Sequence, residues 1–321
     1  MSRVSRTTVL TVILLVLLTA HVLGGRREEM TKTYENIEAV RINTVSGDCV
    51  IMVGEGDKVE VHLEYSIRPR DSFEPEFRER GKVLILGEDF YGSSSGHSLW
   101  TLTVPKTTEI EFETASGDFE AAGLEGDLDI STASGDVDLR DCQGDIELNT
   151  ASGRINLDNL SGYIDGNTAS GDIRASNLSG EITLNTASGS IDIDDSQGDF
   201  ELNTASGDVD ALGVVMDGRS IFTTASGRVY VQLAETSAHD LRLSSASGKV
   251  TLDYNGNPVK GYFEFVAKAN RWGRISSPFD FDHEEEFYQW GDEYVMKSFT
   301  SETDEPEILI ETASGRATLE D

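Results

Sequence analysis

The sequence predicts an all-β protein: a parallel β-solenoid with 18-residue rungs and irregular β caps at both ends. Three observations carry this. The tetrad Thr-Ala-Ser-Gly begins at Thr114 and returns at Thr132, Thr150, Thr168, Thr186 and Thr204, always eighteen residues apart. Such fixed self-similarity marks a protein built from stacked units. Each unit divides into two nine-residue halves, as in Gly135-Asp-Val-Asp-Leu and Gly144-Asp-Ile-Glu-Leu, with apolar and polar residues alternating. That period of two describes a strand with one buried face. Finally, stacking the units places like residues over like, so that no unit buries its apolar side chains alone but neighbours do so together.

The interior columns can be written out. One runs Phe119, Val137, Ile155, Ile173, Ile191, Val209, Val229, Val250, and its neighbour runs Ala121, Leu139, Leu157, Ala175, Ile193, Ala211, Val231, Leu252. The opposite face supplies Leu128, Ile146, Ile164, Ile182 and Phe200, and a corner supplies Leu124, Cys142, Leu160, Leu178 and Ser196. Two long faces fit the nine-residue halves better than three, although the corner column leaves a three-sided coil open. Alternation from Ile146 and Leu148 turns Thr150 inward.

Four segments follow in order. Residues 1–25 carry Arg3 and Arg6, an apolar run from Val9 to Leu18, and the small residues Gly24 and Gly25, the pattern of a secretory signal peptide. Cleavage falls after Gly24 or Gly25; an uncleaved N-terminal anchor is the alternative. Residues 26–110 form an N-terminal β cap with strands at Glu38–Asn43, Cys49–Val53, Val59–Tyr65, Lys82–Leu86 and Leu99–Val104. Between these strands lie Arg68–Arg80 and Tyr91–Gly96. Residues 111–254 are the regular repeats. Residues 255–321 form a C-terminal cap that ends in one more rung, at Thr312.

The turns hold the candidate structural residues Ser116, Gly117, Ser134, Gly135, Ser152, Gly153, Ser170, Gly171, Ser188, Gly189, Ser206 and Gly207. A nucleophile is not repeated six times, so the serine hydroxyls are expected to bond turn backbone. The glycines are expected to supply a positive φ. Asn149, Asn167, Asn185 and Asn203 form a side-chain ladder. Cys49 and Cys142 take core slots, many rungs apart, as buried thiols without a disulfide.

The units from Ser134 to Leu139 and Ser206 to Ala211, the early copy at Ser46–Ile51, Leu102-Thr-Val-Pro105 and the closing Glu311–Arg316 resemble the bacterial and archaeal "putative adhesin" domain family of unknown function. The resemblance runs from about Ile37 to Leu319. It implies an exported β-solenoid of the cell envelope and transfers no catalytic motif.

Chemistry is sparse. Gly92-Ser-Ser-Ser-Gly96 matches a nucleophile pattern that requires a strand–turn–helix, whereas a strand follows it. The histidines show no metal-ligand spacing. The calcium-binding nine-residue roll would need Asp where Val137 and Ile146 stand. Asp138, Asp192 and Asp210 share one outward column, so a carbohydrate-active β-helix enzyme is a weighed alternative; a calcium-binding repeat protein is another. An ice- or mineral-ordering surface would require the Thr150 column outside.

A net charge of −32, or −34 without Arg3 and Arg6, disfavours nucleic acid and anionic lipid as partners. The expectation is therefore a non-enzymatic adhesin or scaffold, exported to the extracellular space, cell surface or periplasm. It needs no cofactor and touches membrane only through an uncleaved leader. A cell-surface glycan or an envelope protein is its expected partner, with self-association left open. The acidic aromatic stretch from Phe279 to Trp290 offers Phe281 and Trp290 as partner-binding side chains, against the simpler reading that they tuck over the last rung.

Overall fold

The computed structural model describes residues 27–269, 274–289 and 291–321. The leader segment and Trp290 lie outside the described residues. The chain winds into a parallel β-solenoid of two sheets, not three. In the repeats, one sheet is built from four-residue strands such as Ile155–Asp158 and Ile173–Ser176. The other is built from longer strands such as Gln143–Thr150 and Ser161–Thr168. Each strand pairs in parallel with the strand one unit away and in matched register: Ile155 opposes Ile173, and Ile146 opposes Ile164. The stack is on the order of a dozen rungs, roughly 50 Å long at ~4.8 Å per step.

The predicted columns are the core. Val137, Ile155, Ile173 and Ile191 are fully buried, as are Ile146, Ile164 and Ile182 on the opposite sheet, and Leu160 and Leu178 fill the corner. Burying one such side chain contributes about 1.5–3 kcal/mol, and a continuous column repeats that gain at every rung. Thr132, Thr150, Thr168, Thr186 and Thr204 are also buried.

The corner between the sheets corrects two expectations. The threonine, not the serine, makes the turn bonds. The Gly153 N–H donates to Thr150 Oγ1 at 3.0 Å, and the Thr150 hydroxyl donates to the Gly135 carbonyl one rung below at 3.4 Å. Ser134, Ser152, Ser170, Ser188 and Ser206 face solvent beside the exposed alanines. Ser116 alone reaches backbone, donating to the Val45 carbonyl at 3.4 Å. Nor do Gly135 and Gly153 adopt a positive φ. They are required by close approach: a Cβ at Gly153 would lie 1.7 Å from the Gly135 carbonyl oxygen. The left-handed residues sit at the other corner, where Asp141, Asn159, Asn177 and Asp195 have φ between 48° and 56°. Asn and Asp tolerate that region better than other side chains.

The longer gap after Thr204 is absorbed by a bulge between Ala211 and Val214, where Gly213 takes φ +64°.

Neither end follows chain order. The rung Ala39–Asn43/Asp48–Val53 stacks on Glu109–Thr114/Phe119–Ala122, and the rung Val83–Phe90/Ser95–Val104 stacks on its far side. Antiparallel strands then cover the end: Lys58–Arg68 on Ser95–Val104, Glu28–Glu35 outside that, and Phe73–Arg80 on Val83–Phe90. Two of these had not been expected, since Arg68–Arg80 read as a connection and Glu28–Glu35 as no strand. At the other end, the last rung in the chain, Glu307–Thr312/Arg316–Glu320, does not finish the stack. It slots between Leu241–Ser245/Val250–Asp253 and the outer rung Gly261–Lys268/Arg274–Ser276. Asp292–Ser301 and His283–Gln289 close that end antiparallel.

The cysteines are nearer than expected. Cys49 stacks on Phe119, which stacks on Val137, so two register steps rather than many separate Cys49 from the strand leading to Cys142. Both are free and buried, and burial pushes both thiols up.

Candidate functional site

Two outward faces present ordered polar side chains. On the short-strand sheet, register places Glu120, Asp138, Asn156, Arg174, Asp192, Asp210 and Tyr230 in one column. From Asp138 to Tyr230 this column floors a groove of about 620 Å³, flanked by Arg140, Asp158, Asp194, Leu212 and Arg228. Local alternation sets the groove: Val137 and Leu139 point into the core, so Asp138 must point out.

Within the groove the side chains bind one another sparingly. Asn156 Nδ2 donates to Asp138 Oδ1 at 3.0 Å. Arg174 lies 3.2 Å from Asp172 and 3.9 Å from Asp192, and Arg228 pairs with Asp210 Oδ2. Asp210 Oδ1 is buried with no partner. Burial, reinforced by the Asp210 charge, holds the Asp192 carboxyl above its usual range. The Tyr230 phenol donates to Asp253 Oδ2 at 2.6 Å, and burial together with that carboxylate pushes it up to about 12.

The column that raised the enzyme alternative is therefore divided. Asn156 and Arg174 stand between Asp138 and Asp192. Asp192 and Asp210 are neighbours along the groove floor, one strand step of ~4.8 Å apart, rather than facing each other across a cleft as glycoside cleavage needs.

The long-strand sheet is more acidic. Glu111, Asp129, Glu147 and Asp165 occupy consecutive rungs, beginning from an Arg41–Glu111 ion pair at 2.8 Å. A cavity of about 390 Å³ lies along this column, bordered by Tyr163. Burial, then Glu147 and Glu111, raises the Asp129 carboxyl. Beside it runs the amide ladder: Asn167 donates to Asn149 at 3.4 Å, Asn185 to Asn167 at 3.0 Å, and Asn203 to Asn185 at 3.1 Å. Among the described residues no three His, Cys, Asp or Glu side chains are grouped to hold a metal ion.

A third row, Asp118, Asp136, Arg154, Asp172, Ser190, Asp208, Arg228 and Lys249, reads in the sequence as a solvated corner of mixed charge, and its backbone role is not evident there. The aspartate after the tetrad glycine caps backbone. Asp118 Oδ1 accepts the Asp136 N–H at 2.8 Å, and Asp136 Oδ1 accepts the Arg154 N–H at 2.8 Å. Asp172 and Asp208 do the same for Ser190 and Arg228. The recurring Ser-Gly-Asp carried this signal: an acceptor beside a corner whose N–H lacks a ladder partner.

Phe281 is not a free docking side chain. Its ring packs edge-on against Phe265 at 5.6 Å and against Phe299 at 6.1 Å, while Phe279 stacks on Phe299. Among the described residues of the same segment Tyr288 is the exposed aromatic, at 76%. Gly92-Ser-Ser-Ser-Gly96 opens the strand Ser95–Val104, with no helix after it.

Several solved structures match the chain at low identity. A protein described as a putative adhesin from Parabacteroides distasonis is 13% identical, covering 92% of this chain and 97% of that one, with a TM-score of 0.45. One described as a putative cell adhesion protein from Clostridium sporogenes is 12% identical, covering 92% and 99%, with a TM-score of 0.21. None of the curated proteins matches the chain. The family model described as Toastrack DUF4097 matches residues 29–270, stopping short of the closing Glu311–Arg316 copy. By that match over most of its length, the chain belongs to the Toastrack DUF4097 family, the β-solenoid family its repeats resemble.

Proposed function

We propose that the chain is an exported, non-enzymatic β-solenoid acting as an adhesin or structural scaffold of the cell envelope. The observation that carries this reading is the distribution of polar groups. They stand in ladders repeated along both faces, as the Asn149–Asn203 row does, instead of converging on one reacting point. A rod of stacked rungs with periodic outward side chains suits extended contact, whereas catalysis needs acid, base and substrate held at a single place. The Toastrack membership and the signal-like residues 1–25 support the same reading.

The test has two arms. Fractionation of cells carrying a C-terminally tagged chain should recover it outside the cytoplasm, and recovery in the cytosol alone sinks the export arm. The purified chain should bind isolated envelope material saturably and release no reducing ends from polysaccharide. Release that is lost in an Asp192→Asn variant would convert the reading to an enzyme.

A further inference from the structure

We propose that the groove on the short-strand sheet binds a neutral linear polysaccharide laid along the rod axis, one sugar per rung. This rests on the adhesive reading above and names its ligand class and its site.

Four observations point there. Asp138, Asn156, Arg174, Asp192, Asp210 and Tyr230 follow one another at every rung and span roughly 24 Å at ~4.8 Å per step. That step is about the length of one pyranose in an extended chain. Second, the floor carries both acceptors and donors: Asp138, Asp192 and Asp210 accept, while Asn156 and Arg174 between them donate. A sugar hydroxyl does both, so a neutral polyol satisfies each position in turn. Third, Asp210 Oδ1 is a buried acceptor without a donor near the Tyr230 end of the groove, its other oxygen being held by Arg228. A ligand hydroxyl reaches Oδ1, which no solvent touches in the free chain, by displacing the side chains that cover it, and supplies the missing bond without adding charge. Fourth, the groove mixes Arg140, Arg174 and Arg228 with its acids. The arginines oppose a metal cation and the carboxylates oppose a polyanion, which leaves an uncharged ligand.

The backbone excludes an extended peptide added as a strand. Every short strand here is already paired on both sides, so only side chains remain to make contacts. Leu212, 40% exposed on the groove wall, offers an apolar surface for the C–H face of a ring.

The experiment applies the full chain to immobilised neutral hexasaccharides: β-1,4-glucan, β-1,3-glucan, β-1,4-mannan and β-1,4-linked N-acetylglucosamine. Calcium chloride alone is titrated in parallel. At least one hexasaccharide should bind saturably in the presence of EDTA. Asp210→Ala and, separately, Arg174→Ala should each weaken that binding roughly tenfold or more, since each removes a hydrogen bond to a charged group. Glu147→Ala, on the other sheet, should leave it unchanged, and melting curves check that each variant folds. The proposal is overturned if no hexasaccharide binds, if binding requires calcium, or if both groove variants bind as the parent does. Envelope binding without hexasaccharide binding removes the groove assignment and leaves the adhesive reading standing. Loss of envelope binding removes that reading itself.

Discussion

The regular array and the two ends use the same sheets and the same rung, yet they satisfy their polar groups differently. In the array every corner is solved once and copied. Thr150 bonds Gly153 and Gly135, and Thr168 bonds Gly171 and Gly153. At the ends each solution is particular. Glu88 takes the Trp100 indole N–H at 3.1 Å and the Val45 N–H at 3.0 Å. Near the C-terminal end, Thr251 Oγ1, Tyr254 OH and Thr318 Oγ1 are buried without partners. Repetition lets one good corner serve many rungs, but it cannot terminate itself. The ends therefore add antiparallel strands and out-of-order rungs that cover the stack, and they leave orphaned hydroxyls behind. The charges and Pro75 on the edge strand Phe73–Arg80, and the three glutamates of His283–Gln289, discourage pairing with another rod.

The sharpest way to break this comparison is at glycine. Gly153→Ala drives a Cβ into the Gly135 carbonyl oxygen, a backbone atom that cannot move without unstacking two rungs. Gly56, near the N-terminal end, has φ +100° but open space around it. We expect Gly153→Ala to lower unfolding free energy by about 4 kcal/mol or more, among the largest single-site effects. Gly56→Ala should cost roughly 1 kcal/mol, from backbone strain alone. Urea denaturation of both variants measures the difference, and equal midpoints would show that the corner yields.

A single substitution with opposite signs sharpens it further. Thr150→Val removes an acceptor from the Gly153 N–H and a donor from the Gly135 carbonyl, leaving both backbone groups unmet at a cost of about 1–3 kcal/mol. Thr318→Val removes a hydroxyl that bonds nothing and should raise stability by about 1 kcal/mol. Tyr254→Phe, which deletes another orphaned hydroxyl from a fully buried ring, should shift stability the same way by about 1 kcal/mol. Thermal melts at one pH read all three; a stability loss in Thr318→Val would mean that the end, too, satisfies its groups.

The array was legible because its signal is register itself. Ile155 over Ile173, and Thr150 turned inward, follow directly from an eighteen-residue period and a two-residue alternation. The ends were less so, for a physical reason. Alternation states which face a residue occupies, not which strand lies beside it, so the slot taken by Glu307–Thr312 could not be inferred from its pattern. Glu28–Glu35 and Phe73–Arg80 bury little beyond Tyr34 and Phe73, and an edge strand with one buried side chain carries almost no periodic signal. Of the groove, the Asp138, Asp192 and Asp210 column was readable. The Arg228 pairing that leaves one Asp210 oxygen unmet was not, because it depends on a corner side chain reaching across two residues.

Charge gives the smallest expected effect and separates two positions of the array by sign. Asp129 sits between Glu111 and Glu147, and its carboxyl is raised in the folded chain by burial and by those neighbours. An acid raised on folding contributes stability below its unfolded pKa of ~3.9 and loses it as pH climbs through the folded value. At pH 7 its ionised form therefore opposes the stack, and Asp129→Asn should raise the melting temperature slightly, with the gain fading as pH falls toward 4. Asp158 is the counterpart. Hydrogen bonds from Asn177 and Ser176 lower its carboxyl, so its contribution is present above ~3.9 and lost as pH falls through the folded value. Asp158→Asn should accordingly lower the melting temperature at pH 7, with the deficit shrinking in acid. Opposite slopes against pH are the expected signature. Parallel slopes would mean that the ladder carboxylates relax into solvent, and that a rung's stability owes nothing to the charge stacked above it.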